Sequence, residues 1–122
     1  MTQKHFEKVT EKLLDKTKQT LIHKNKEYTD TKTDVFRTDV LVAFKHASAL
    51  VNQNLAKTLG GMLSKHIVSI YKMMDDPTSY PDDVWDEKIG DAINYLVLLK
   101  ACIKEMRFEE ECEINADETL HI

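Results

Sequence analysis

The chain has 122 residues, of which 42% are hydrophobic and 31% charged, with only three glycines and two prolines. That suits one domain with one core, and the sparse punctuation argues against a fold of many short strands. The net charge of −4 is divided, because residues 109–122 carry six acids and no base, which leaves 17 bases against 15 acids in residues 1–108. No apolar run approaches the roughly 18 residues of a membrane span. The charged N-terminus is not expected to act as a signal peptide, and two cysteines without metal-ligand spacing point to reduced thiols in a cytoplasm.

The first helix is expected over about 3–28, with Thr2 as its N-cap. Phe6, Val9, Leu13, Thr17 and Leu21 form its inward stripe. Continuing that spacing brings Lys24 and Tyr28 inward, and a lysine at a core position needs a partner or a ligand. The opposite face alternates Lys4, Glu7, Lys8, Glu11, Lys12 and Asp15, the pattern of a solvated surface. Residues 29–38 are a loop rich in Thr and Asp, with Phe36 pinning it to the core and Arg37 exposed.

A second helix is expected over about 39–52, with Val40, Leu41, Phe44, Ala47, Ser48 and Val51 inward. The Ser48 hydroxyl suits a close helix contact, bonded back to a carbonyl one turn earlier. Asn52, Gln53 and Asn54 mark a break. The third helix, about 55–75, has the stripe Leu55, Leu59, Met62, Leu63, His66, Ile70 and Met73. Lys65, Ser69 and Lys72 share an adjacent polar face. Gly60 and Gly61 each cost about 1 kcal/mol relative to Ala inside a helix, so close approach of another backbone or a ligand is expected there. Pro77 and Pro81 separate this helix from the fourth, about 83–108. In the fourth, Trp85, Ile89, Ala92, Ile93, Leu96, Leu99 and Ile103 form an apolar stripe, and Glu87, Asp91 and Asn94 share a second face. The expected fold is an all-α four-helix bundle over 1–108, followed by a flexible acidic tail at 109–122.

Two constellations carry possible chemistry. Lys24, Lys26, Lys45, Lys65 and His66 are a basic set suited to phosphate. Glu87 and Asp91, one helical turn apart, suit one Mg²⁺ with Glu27 as a third ligand, or else form a salt-bridge network with Lys24, Lys65 or Lys88. Residues 52–70 imitate a helix-turn-helix through Leu55, Ala56, Leu59 and Gly60. Gly61 and His66 break that pattern, and the acidic balance argues against DNA.

Three blocks, KNKEYT (24–29), GGMLSKHIVSIYKMM (60–74) and WDEKIGDAINYLVLL (85–99), resemble small helical phage and prophage proteins grouped as "nucleotide modification associated". EKIGDAINYL (87–96) is also distantly similar to the last metal helix of MazG-like all-α nucleotide pyrophosphatases, with Asp91 matching its Asp. Lys88 stands where that family has Glu, and the basic stretch LSKHIVS (63–69) replaces its Glu-x-x-Glu. The resemblance implies a nucleotide-like ligand and a homo-oligomer. Lys24, Lys65 and His66 would contact phosphate, with Ser69 beside them. Asn25, Glu27 and Asn94 would bond base or ribose, and Tyr28 and Tyr95 would stack. Such a protein would act in nucleotide metabolism or sequester a host defence signal. The alternatives are a Mg²⁺-dependent nucleoside triphosphate pyrophosphohydrolase, with the metal on Glu87 and Asp91, and a protein–protein inhibitor without a small ligand. Met62, Tyr71, Met73, Met74 and Trp85 supply either an oligomer surface or simply more of the core.

Overall fold

The computed structural model describes residues 1–28 and 39–120, and the side chains of residues 1–24 and 39–115. The expected contributions of Asn25, Glu27, Tyr28, Phe36 and Arg37 therefore lie outside the described residues. Four α-helices and no strand are found among the described residues: α1 (Gln3–Tyr28), α2 (Val42–Leu50), α3 (Leu55–Met73) and α4 (Asp82–Leu120). A single 3₁₀ turn, Pro77–Ser79, joins α3 to α4. No described helix is long and apolar enough to cross a membrane.

Local chemistry sets these boundaries. The Thr2 hydroxyl accepts from the His5 N–H at 3.1 Å and caps α1. The Asp39 carboxylate accepts from the Leu41 N–H at 2.9 Å and holds a turn, so α2 starts at Val42 and not at 39. Asn52 has a φ of 51°, a left-handed value that Asn tolerates, and ends α2. Asn54 then caps α3 by accepting from the Lys57 N–H at 2.8 Å. The indole of Trp85 donates to the Pro77 carbonyl at 2.8 Å and ties the 3₁₀ turn to α4. α3 runs unbroken through Gly60 and Gly61, so the helix-turn-helix pattern is not realised.

α3 and α4 form an antiparallel hairpin. Leu59 clusters with Leu98 and Cys102, whereas His66, two turns later on α3, meets Asp91 and Tyr95, earlier on α4. α1 lies on one side of this hairpin through Thr17 against Gly90 and Lys16 against Asp86. Phe44 of α2 and Leu41 just before it close the same side against Tyr95, Leu59 and Leu98. Burying an aliphatic side chain such as Leu59 or Leu98 stabilises by about 1.5–3 kcal/mol, and this small cluster is the centre of the core.

Several sequence expectations need correction. The α3 stripe is inward throughout, but α4 is turned: Asn94, Leu98 and Cys102 are buried, while Leu96 is half exposed. α4 is apolar around more than half of its circumference, so periodicity alone did not select the inward face. α1 is covered only from Leu13 onward, and Phe6 and Val9 are exposed. Of the stripe expected over 39–52, Leu41 and Ser48 are buried, but Val40 and Val51 are exposed. Ser48 donates to the Lys45 carbonyl at 2.8 Å, the expected back-bond. Met73 is buried, not a surface residue. α4 continues to Leu120, past the expected end at 108, so the acidic segment starts as helix. Finally, nothing among the described residues lies within 4 Å of a Cβ at Gly60 or Gly61, so the close approach expected there does not occur among them.

Candidate functional site

All four helices contribute to one polar cluster centred on Asp91. Lys24 of α1 donates to Asp91 Oδ1 at 3.4 Å. His66 Nδ1 of α3 lies 4.0 Å from Asp91 Oδ2, an ion pair when the imidazole is protonated. The His66 ring packs on Tyr95 with centroids 4.9 Å apart and planes at 31°. Phe44 of α2 also meets Tyr95, edge-on, at 6.3 Å and 78°. The lysine that interrupted the α1 stripe thus finds the carboxylate that interrupted the apolar pattern of α4.

Beside this cluster sits a pair of buried polar groups. Asn94 and Thr17 are each only 6% exposed. Neither Asn94 Oδ1 nor Thr17 Oγ1 has a hydrogen-bond partner among the described residues. Gly90 lets Thr17 lie close against α4, because a Cβ there would stand 2.9 Å from Thr17 Oγ1. A buried acceptor left unmade costs about 1–3 kcal/mol, so such a pair in a helical core calls for an explanation.

Two cavities meet at these residues. The larger, about 180 Å³, lies between α1 and the start of α4, where Thr17 and Thr20 face the carboxylates of Asp83, Asp86 and Glu87. Lys16, at its rim, is 3.8 Å from Asp86. The smaller, about 90 Å³, is lined by Leu21, Phe44, Tyr95 and Leu98, with Lys24 at its edge. Asp91 and Asn94 line both and form their common wall. One cavity is therefore acidic and the other is apolar and aromatic, with hydrogen-bonding groups between them.

The structure brings Lys24, His66, Asp91, Asn94 and Tyr95 together. Glu87 lines the acidic cavity but is exposed. Lys65 is exposed and lines neither cavity; it points about 100° away from His66 around α3. Ser69 is half-buried and also lines neither. Among the described residues, no group of three His, Cys, Asp or Glu side chains is arranged to hold a metal. The Mg²⁺ pair Glu87 and Asp91 is thus without a third described ligand, and Asp91 is engaged by Lys24. Sequence reasoning missed Thr17 as a polar group, Gly90 as its spacer, and Asp83 and Asp86 as cavity walls. The spacing Asp83, Glu87, Gly90, Asn94 was the available signal, since it places all four on one helical face.

A second polar staple lies outside the site. The Lys45 ammonium bonds Asp39 at 2.8 Å and also Glu105, joining α2 to α4. These hydrogen bonds push the Lys45 pKa up. Burial alone would raise the Asp39 carboxyl, but hydrogen bonds from Lys45 and the Leu41 N–H hold it below its ordinary value. Burial, together with the nearby Glu105 charge, pushes the Cys102 thiol up.

In comparisons with known proteins, the chain matches no family model, no curated protein and no solved structure.

Proposed function

We propose that this protein is a ligand-binding module for a nucleotide or a nucleotide-derived phosphate. It would work in the cytoplasm of a bacterial host cell, in phage nucleotide metabolism or in sequestering a host defence signal. The observation that carries this reading is Asn94, a buried amide whose Oδ1 is unpartnered in the wall shared by the two cavities. An Asn side chain offers an acceptor and donors side by side, which suits the edge of a base. Tyr95, Phe44, Leu21 and Leu98 supply the apolar and aromatic wall for its face. Lys24 has three donor hydrogens, of which Asp91 takes one, so its ammonium serves a phosphate at the cavity mouth. Lys65 drops out of this reading, and Lys16 takes its place as the second cation at the rim.

The rival reading is Mg²⁺-dependent nucleotide pyrophosphohydrolysis. It draws on one specific observation, the row of carboxylates Asp83, Asp86 and Glu87 along the larger cavity.

A thermal-shift screen against nucleotides, with and without Mg²⁺, separates these readings. The binding module predicts saturable stabilisation without Mg²⁺. Asn94→Leu should abolish that response while leaving the free protein about as stable, because it replaces a buried amide whose Oδ1 is unpartnered with an apolar side chain of similar size. Pyrophosphate release that disappears in Asp91→Asn would make the protein an enzyme. Indifference to every nucleotide would favour an inhibitor that acts through protein contacts alone.

A further inference from the structure

We propose that the larger cavity, between α1 and the start of α4, binds a small aliphatic diammonium ion, a diamine of the polyamine class. Its walls are rich in acceptors. Asp83, Asp86, Glu87 and Asp91 line it together with Thr17 and Asn94. Lys16 pairs with Asp86 and Lys24 with Asp91. Asp83 and Glu87 have no ion-pair partner among the described residues. Four carboxylates against two ammonium groups leave two negative charges at the cavity, so its complement is a dication.

A row of surface carboxylates is ordinarily just solvated, and it is the buried end of this cavity that makes it a site. Three threonines lie on α1. Thr10 and Thr20 donate to the carbonyl one turn earlier, at 2.9 and 3.0 Å. Thr17 makes no such bond. Its hydroxyl is turned onto Gly90 of α4, is nine-tenths buried and has no partner among the described residues. Asn94 Oδ1, equally buried and equally unpartnered, belongs to a second residue in the same wall. Both oxygens accept, and an alkylammonium brings three N–H donors and no acceptor.

The shape of the cavity selects the class of dication. Among the described residues no three His, Cys, Asp or Glu side chains converge as a metal site, and Mg²⁺ demands near-octahedral oxygen geometry. The acceptors are instead strung out along α4, with Asp83 and Asn94 about 16 Å apart in helix rise. The volume of about 180 Å³ is roughly ten times what one water needs, so a single ion leaves most of it unfilled. A short aliphatic chain with an ammonium at each end suits that layout. One end meets Thr17 Oγ1, Asn94 Oδ1 and the Asp91 carboxylate, and the other meets Asp83 and Glu87 at the exposed mouth. Thr17 and Glu87 line only this cavity, so the inference does not depend on nucleotide binding in the smaller one.

Isothermal titration calorimetry of the full chain with butane-1,4-diamine, at low ionic strength and without Mg²⁺, tests it. One saturable site is expected, and butan-1-amine, with a single charge, should bind several-fold more weakly. Thr17→Val removes only a hydroxyl without a partner, so the free protein should stay folded. Its affinity for the diamine should fall by at least about ten-fold, as loss of a hydrogen bond to a charged group does. Should Thr17→Val fail to fold, Glu87→Gln decides: this exposed, neutral replacement should weaken binding several-fold at low salt and much less at high salt. Absence of a saturable heat overturns the proposal. So does an affinity that Thr17→Val leaves unchanged, which would mark loose attraction to the outer carboxylates. Mg²⁺ that binds more tightly than the diamine and displaces it would make the row a metal site and overturn the proposal as well.

Discussion

Gly90→Ala should destabilise the wild-type protein but stabilise a Thr17→Ala background, and that reversal of sign is a demanding test of how α1 meets α4. The added Cβ would stand 2.9 Å from Thr17 Oγ1 and 3.8 Å from Thr17 Cβ. The first distance is well inside van der Waals contact, and Thr17 is 6% exposed, so its side chain has little room to yield. Overpacking of this kind costs about 1–3 kcal/mol. Replacing a mid-helix glycine by alanine returns about 1 kcal/mol through helix propensity. The net for Gly90→Ala alone is therefore about 0–2 kcal/mol of destabilisation. With Thr17→Ala the opposing hydroxyl is gone, the clash term disappears, and the same substitution should stabilise by up to about 1 kcal/mol. The coupling expected in the double-mutant cycle is about 1–3 kcal/mol. Urea denaturation of all four proteins, at one protein concentration and with unchanged m-values, measures it. If Gly90→Ala stabilises both backgrounds equally, Thr17 does not pack on Gly90 and the geometry of the larger cavity is wrong.

Two further predictions concern the periphery. Lys45→Met should lower stability by no more than about 1 kcal/mol at neutral pH, since the ammonium is partly exposed and solvent screens the pairs. Asp39 is held below its ordinary 3.8, so its contribution exists above that value and is lost as the pH falls. The Lys45 pKa is raised above 10.5, so its contribution exists below that value and is lost only as the pH rises beyond it. The difference between wild type and Lys45→Met in chemical denaturation should thus be flat from about pH 5 to 9 and shrink toward acid; an unchanged difference at pH 3 contradicts the staple. Under native conditions a thiol reagent should modify one cysteine quickly. Cys112 is exposed, whereas Cys102 is buried with its thiol pushed up, so the second equivalent should need denaturant. Two fast equivalents, or a fast phase surviving in Cys112→Ser, would place Cys102 at the surface.

How far the sequence reveals this molecule depends on how one-sided each helix is. On α3 every residue of the stripe from Leu55 to Met73 turns inward, although Ile67, Val68 and Tyr71 beside it are apolar and exposed. α4 has apolar residues around most of its girth, so the stripe through Leu96 looked as good as the one through Leu98. Polar residues at apolar positions were the best guides to the site. Lys24 and His66 each interrupted a stripe, and each meets Asp91. Lys65 misled because adjacency in sequence is a separation of about 100° on a helix. Gly90 passed unnoticed because its role appears only when Thr17, on a helix distant in sequence, is brought against it.

The most direct test of the central claim is the side-chain amide of Asn94 in an isotope-labelled sample titrated with the nucleotide that gives the largest thermal shift. The account predicts that the Asn94 amide resonances move with the largest change in the spectrum, together with the backbone of Asp91 and Tyr95. A titration that saturates while the Asn94 amide stays still, with shifts clustered elsewhere, contradicts it.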